Sequence, residues 1–443
     1  MKHARRRRGA ILIVAMLILF ALASLVLAMG RNARVESMAA ANRTAMLEAS
    51  AVELAAEQFV IGLLATGRES LATLDENDFN AVAVGSGYFW ISRPDFGDRT
   101  LPRFGLVDES TKVSLNGTPL ERLKKLPRIT DEVAASIVDW RDEDDTATES
   151  GGESSYYLSR PEPHNAKNAA FESVDELRLL KGMTDELYAG PTNLVLGEAT
   201  YGLQDAVTVW STAKNTAADG SVRINVRDNN PQTSRTMRRQ LAQRLGQRLS
   251  TTRAAAIMEA LGQNRIQDLF DLALRGTMTL EEVEKIEDDI TSSRGRTVGN
   301  RLNVNAAPRD LLLTLPNLTT ADVDALMSRR PSAVAAKPTS IAWVYEVLKD
   351  RPDTLRGLGR RIIGRGDMYS ADVVAASGNG RAFKHVKIVV DVSGTSPRII
   401  YRQDVTDRGF PLDAQILTDL RAGNAPGGAG RGGAAGGSTI GAR

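Results

Sequence analysis

The 443-residue chain contains no cysteine and only three histidines. Without cysteine there are no disulfide staples, no thiolate zinc sites and no cysteine nucleophile. His3 lies in a basic N-terminal stretch, which leaves His164 and His385. No Ser/His/Asp set can be assembled from two separated histidines, and no catalytic constellation is found, so the chain is not read as an enzyme. A strong charge of one sign is also missing. The formal net charge is +2; Lys2 and Arg5 to Arg8 supply five positive charges, so the remainder stands at about −3. That balance argues against a general polyanion binder, and no nucleic-acid partner is expected. Large apolar side chains are nearly absent from residues 421–443, and a disordered Gly-rich tail is expected over 413–443. Its glycine run at 427–437 has no Lys-Ser/Thr and no preceding strand, so it is no phosphate loop.

What is present is concentrated first at the N-terminus. Arg5-Arg6-Arg7-Arg8-Gly9 precedes the uncharged run Ala10 to Met29. A helix of roughly 20 residues spans a bilayer, and basic residues stay on the cytoplasmic side. A single-pass span with a cytoplasmic N-terminus follows, the bulk of the chain lying across the membrane. Residues 31–66 contain no proline and carry apolar residues at helical spacing, so one helix over 10–66 is expected, half in lipid and half in water. An ordinary signal-anchor tethering another domain gives the same pattern.

Beyond it, β-like runs occur at Tyr88–Ile91, Phe104–Val107 and Lys112–Leu115, and again at Tyr369–Ala375, Val386–Val392 and Ile399–Gln403. Asp108–Thr111, Gly378–Gly380 and Gly394–Pro397 read as turns. Everything between the two strand groups reads as helical. The expected fold class is therefore α+β: a long N-terminal helix on a small antiparallel sheet, with a large all-helical insertion. The expected divisions are a leader at 1–9, the helix at 10–66, sheet parts at 67–116 and 366–412, and the insertion at 117–365.

The insertion repeats itself. Val113-Ser114-Leu115-Asn116, Arg223-Ile224-Asn225-Val226 and Arg301-Leu302-Asn303-Val304-Asn305 open three similar stretches. The first and third continue to Leu126-Pro127-Arg128-Ile129-Thr130 and Leu315-Pro316-Asn317-Leu318-Thr319. Such units are similar to helix-hairpin-helix or SAM-like modules, which raises a membrane-anchored DNA receptor as the rival reading. DNA-binding hairpins usually have glycine after Leu-Pro, so that backbone N–H groups approach a phosphate. Arg128 and Asn317 stand there instead, and packing of helix on helix is the favoured role. The arginines at 235, 238, 239, 244, 248 and 253 spread around a helix and read as solvated surface. Trp90, Trp140, Trp210 and Trp343 read as core.

Asp139, Asp142, Asp144, Asp145, Glu149 and Glu153 crowd one loop. Six to eight oxygens from such a loop suit Ca²⁺, but the spacing is not that of an EF-hand, and a solvated acidic loop fits the spacing equally well. His164 falls in the same loop and reads as a surface residue.

The junction at Gly9 resembles the prepilin-type signal of the pilin-like proteins. The resemblance implies cleavage by prepilin peptidase between Gly9 and Ala10, with N-methylation of Ala10. The mature fifth position, glutamate in most of these proteins, is Val14. That departure, together with Asp139-Trp140-Arg141-Asp142, Gly151-Gly152-Glu153, Tyr156-Tyr157 and Phe171 to Leu177, resembles the K-type minor pseudopilins of type II secretion. The resemblance implies a pseudopilin fold and an inner-membrane protein whose periplasmic bulk sits at the pseudopilus tip. Its partners would be I-type and J-type minor pseudopilins and the major pseudopilin. It also implies bound calcium, with Asp142, Asp144 and Glu153 as first ligands and Asp139, Asp145 and Glu149 as further candidates. A type IV pilus minor pilin would normally carry Glu in place of Val14 and lack the large insertion.

Overall fold

A computed structural model describes residues 6–67, 74, 76–94, 103–191, 201–227, 231–331 and 339–426; the side chains of 6–11 and 231–233 are not described. The leader residues 1–5 and the glycine stretch 427–443 lie outside the described residues.

The N-terminal half-lipid, half-water pattern becomes one helix, α1 (Arg6–Ala65, 60 residues). At ~1.5 Å per residue it extends roughly 90 Å. Its first part is exposed on all sides and is the one helix among the described residues long and apolar enough to cross a membrane. Further along, Ala45, Ala49, Val52, Ala56, Val60 and Leu64 are buried. Their spacing of three and four residues lines one face.

That face lies on a seven-stranded sheet whose main path is β1 (Val82–Val84), β2 (Gly87–Arg93), β13 (Met368–Ala376), β14 (Phe383–Asp391) and β15 (Arg398–Asp404), all antiparallel. Two short strands join it: β3 (Arg103–Phe104) beside β2 and β4 (Val107–Asp108) beside β13. Strand alternation sends Phe89, Ile91, Tyr369, Ala371, Val373, Ala375, Val386 and Ile388 toward α1. The opposite face presents Trp90, Val374 and Ala376 to a helix at Ala414–Arg421 through Leu417 and Leu420. This corrects the disordered tail expected from 413: Asp413 caps that helix by accepting the Gln415 N–H, and two leucines at i,i+3 suffice to dock it.

Between β4 and β13 the chain is mostly short helices, but not all-helical as expected. Three two-residue parallel pairs punctuate it: β5 (Val113–Ser114) with β6 (Val207–Thr208), β8 (Ile224–Asn225) with β9 (Ile290–Thr291), and β11 (Leu302–Asn303) with β12 (Ile362–Ile363). A further antiparallel pair joins β7 (Thr212–Lys214) and β10 (Thr297–Gly299). Two residues cannot show a period-two pattern; of these strands the sequence showed β5 alone, inside the expected run Lys112–Leu115, and it pairs with β6 of the insertion and not with the main sheet. Each parallel pair joins the first and last residues of one repeated stretch and closes it into a unit. One continuous core runs through all three, from Leu123 and Trp140 through Leu241 and Phe270 to Leu311 and Val344.

The repeated asparagines have equivalent work. The Asn116 side chain both donates to the Phe171 carbonyl (2.9 Å) and accepts the Phe171 N–H (2.7 Å). Asn305 donates to the Ser340 carbonyl (3.1 Å) and accepts from Trp343 Nε1 (2.8 Å). Each pins the start of its unit's second half. Arg128 and Asn317 both adopt left-handed backbone, φ 62° and 61°, so the tight Leu-Pro turn forms without glycine. Thr130 and Thr319 then cap the helices Asp131–Arg141 and Thr320–Arg329.

Candidate functional site

The acidic loop begins where the helix Asp131–Arg141 ends. Arg141 is turned back, donating to the carbonyls of Leu115 and Thr118, which ties the helix end to β5. The loop's far side is held by Glu176, which accepts from Trp140 Nε1 (3.1 Å), from Lys167 Nζ (3.0 Å) and from the Ser173 N–H (3.0 Å). These contacts fix both ends, so the carboxylates between them cannot simply drift into solvent.

Asp139 is fully buried and accepts the Thr148 N–H (3.0 Å). Gly151 packs against it so closely that a Cβ there would lie 2.0 Å from Asp139 Oδ2. Next to this turn sits Glu153, only 2% exposed, with neither carboxylate oxygen hydrogen-bonded. Asp142 Oδ1 is likewise buried and without a partner. Burial, then the charges of Asp139, Asp142, Asp145 and Asp144, push the Glu153 carboxyl up to about 7. Asp142 is raised in the same way by burial and by Asp139 and Asp144. Asp144 and Asp145 are exposed: one accepts the Thr146 N–H (2.8 Å), the other accepts from Asn168 Nδ2 (3.0 Å). Glu149 is exposed on the same loop.

The loop thus brings the charges of Asp139, Asp142, Asp145 and Asp144 to bear on a buried, unpaired Glu153. A buried carboxylate without a partner costs several kcal/mol, about 3 or more, unless protonated or neutralised by a cation. Oxygen-only donors without thiolate or imidazole suit a hard cation such as Ca²⁺. Among the described residues, no three Asp, Glu or His side chains lie together closely enough to hold an ion. His164, expected at the surface, is half-buried and stacks on Tyr157 at 5.0 Å between ring centres, with Trp140 at 6.1 Å. It packs the loop against the core instead of facing water.

Gly9 and Ala10 lie in the first turns of α1. The arginines read as solvated surface are largely committed within the chain: Arg244 and Arg248 to Asp289, Arg253 to Glu282, and Arg238 to two backbone carbonyls. Arg128 is held by Glu186 at 3.0 Å and so is not offered to a phosphate. Trp90, Trp140 and Trp343 are buried; Trp210 is only half-buried and packs on Tyr401 of β15 at 4.8 Å.

Sequence reasoning missed the polar joint between insertion and sheet. Asp108, read as part of a turn, accepts from Asn303 Nδ2 (2.9 Å) and from the Gly366 N–H (2.8 Å). Its neighbour Glu109 is buried and accepts from Lys112 Nζ (2.7 Å), Ser370 Oγ (2.5 Å) and Thr208 Oγ1. Missed as well was Arg402 of β15, which donates to both Glu53 (2.8 Å) and Glu57 (2.7 Å) of α1. The pair Glu53/Glu57 at helical spacing i,i+4 was the available signal.

Residues 109–195 match the family model described as type II secretion system (T2SS), protein K. A putative type II secretion system protein K from Escherichia coli (strain K12) is 39% identical over 59 residues, 13% of this chain and 18% of that protein. The aligned part is thus less than a fifth of the relative's length. Among solved structures, the GspK–GspI–GspJ complex of the type 2 secretion system of enterotoxigenic Escherichia coli matches with a TM-score of 0.39 at 12% identity, covering 84% of this chain and 99% of that one. The resemblance to the K proteins of type II secretion holds, and the family-model match lies on the unit that carries the acidic loop.

Proposed function

We propose that this chain is a K-type minor pseudopilin that nucleates or caps the tip of the type II secretion pseudopilus, which serves export of folded proteins across the outer membrane. The observation that carries the reading is the K-protein match at 109–195 on a chain that also presents a 60-residue helix with a bare, membrane-length first part. In this reading prepilin peptidase cleaves after Gly9, Ala10 is methylated, and the first part of α1 sits in the inner membrane before joining a helical filament core. Apolar Leu47 and Leu54 on the face of α1 away from the sheet suit packing against neighbouring helices. A buried carboxylate in such a core is costly unless a neighbour pairs with it. Val14 fits a subunit with nothing above it, and the helix-hairpin-helix-like insertion provides the bulk of a cap.

I-type and J-type minor pseudopilins are the proposed partners at the tip, with the major pseudopilin below. Calcium is the proposed structural cation of the acidic loop, held by Asp142, Asp144 and Glu153, with Asp139, Asp145 and Glu149 as further oxygen donors; it would neutralise the unpaired charge on Glu153. The test is co-purification of the detergent-solubilised full chain with I- and J-type proteins. A stable ternary complex supports the reading. A chain that ignores both proteins but binds duplex DNA in a salt-sensitive manner refutes it in favour of the DNA-receptor reading.

A further inference from the structure

Arginines of the insertion are commonly answered by a carboxylate of the same chain: Arg223 by Asp288, Arg253 by Glu282, Arg351 by Asp322. One cluster departs from this. Arg227 follows β8, Arg265 precedes the helix Leu269–Arg275, and Arg360 and Arg361 precede β12. The turn Leu358–Arg360 packs on the helix Leu269–Arg275, so the second and third units meet here. Among the described residues none of the four side chains has an ion-pair or hydrogen-bond partner, and Arg360 Nε is buried without one. They are close enough to act on one another: burial, then the guanidinium of Arg227, hold Arg360 below the usual arginine range, Asp268 opposes this, and Arg361 and Arg265 add to it.

Asp268 offsets this charge only in part: it favours the charged form of Arg360 without an ion-pair contact to it, and its Oδ2 is buried without a hydrogen bond. Asp268 is 1% exposed and serves as a helix cap, its Oδ1 accepting the Asp271 N–H at 3.0 Å. The same cap bears on the choice of ligand. A compact phosphate site usually draws on free backbone N–H groups at a helix start. Here that start is occupied by Asp268, and the Gln267 N–H is taken by Asp271 Oδ2 at 3.0 Å. Only guanidiniums are on offer. Two of them, Arg227 and Arg265, are exposed, and two, Arg360 and Arg361, are half-buried behind them. Planar forks of this kind match carboxylates bidentately, as Arg248 does with Asp289 and Arg253 with Glu282.

We infer that the junction of the second and third units is a docking face for an acidic segment of a protein partner, read by Arg227, Arg265, Arg360 and Arg361. This face belongs to other units than the acidic loop, and the inference stands whether or not the tip assembly is correct.

The test uses the full chain in detergent and a fluorescein-labelled short peptide of alternating Asp and Glu, followed by anisotropy. Binding is expected to saturate and to weaken as NaCl rises from about 50 to about 300 mM. The double variant Arg227→Glu/Arg265→Glu should weaken it about tenfold or more and take up a matching lysine peptide instead. Reversing Arg235 and Arg239, exposed on the helix Pro231–Arg248, should leave peptide binding within about twofold. Both variants are checked by thermal melting, and gain of the lysine peptide shows that the reversed site is still folded. The inference is overturned if the two double variants behave alike, or if inorganic phosphate displaces the peptide at equal concentration, which would mark a compact phosphate site.

Discussion

Glu153 gives the sharpest test of the acidic loop. Its carboxyl stands at about 7, against an ordinary value of 4.5, because it is buried among four other acids. In the unfolded chain the same group titrates near 4.5, so without a cation the folded state binds the extra proton. The contribution is then fully present below about pH 4.5, is lost as pH rises toward 7, and stays lost above it. At ~1.4 kcal/mol per pH unit the swing is about 3 kcal/mol at most, reduced by solvent screening on the loop's open side. A bound cation reverses the sign, since it needs the carboxylate ionised. At a hundredfold excess over its Kd, calcium adds ~2.7 kcal/mol, worth several degrees of Tm. Melting the full chain from pH 5 to pH 8 should therefore give two curves that diverge upward: falling in EDTA, level or rising in calcium. Glu153→Gln should remove the divergence and melt higher than the parent in EDTA at pH 8. Identical melting in calcium and EDTA at pH 8 refutes the cation; a Glu153→Gln variant less stable than its parent in EDTA refutes the repulsion argument itself.

Three other perturbations address separate parts of the molecule. Gly9→Asp should leave the leader attached, read as a mature mass too high by the nine leader residues; normal processing would sink the signal assignment. Arg402→Ala leaves Glu53 and Glu57 buried against each other, where burial already raises Glu53, and should destabilise the sheet domain by about 2–3 kcal/mol in denaturant titration. An effect under about 0.5 kcal/mol would mean that the fork is only a surface contact. Gly151→Ala sets a methyl 2.0 Å from Asp139 Oδ2, and Asp139 cannot retreat without losing the Thr148 N–H, so the loop should open and any calcium-dependent Tm shift should shrink.

Long-period features were legible in the sequence, and contacts across long separations were not. Sixty residues without proline, and β-rich runs bounded by glycine turns, carry their structure locally. So do the paired Leu-Pro turns, which form without glycine: Asn tolerates left-handed backbone at 317, and Arg128 adopts it with its guanidinium on Glu186. Crowding of acids around residues 139–153 was visible as composition. That Glu153 in particular is sealed without a partner was not, because burial is set by how the loop folds back on the unit and not by local composition. The pairing of the two-residue strands, and the long-range partners of the carboxylates at 108 and 109, gave no local signal.

Those two carboxylates explain how a small sheet carries so large an insertion. Entry and exit strands are neighbours: Asp108 of β4 stands opposite Tyr369 of β13, and the Asp108 carboxylate accepts the N–H of Gly366, 258 residues later. The insertion thus leaves and returns at one point, and the cost of closing so long a loop grows only with the logarithm of its length. One point of attachment would let the insertion swing. Further contacts oppose that: Glu109 bonds Thr208 in the first unit, Asp108 bonds Asn303 in the third, and Asp175 accepts from Gln403 (2.8 Å) and Arg408 (2.9 Å) at the far edge of the sheet. The same edge strand grips α1 through Arg402. β15 therefore bonds to the long helix on one side and to the unit bearing the acidic loop on the other, so a displacement of α1 reaches the insertion through side chains held at both ends, not through a flexible linker.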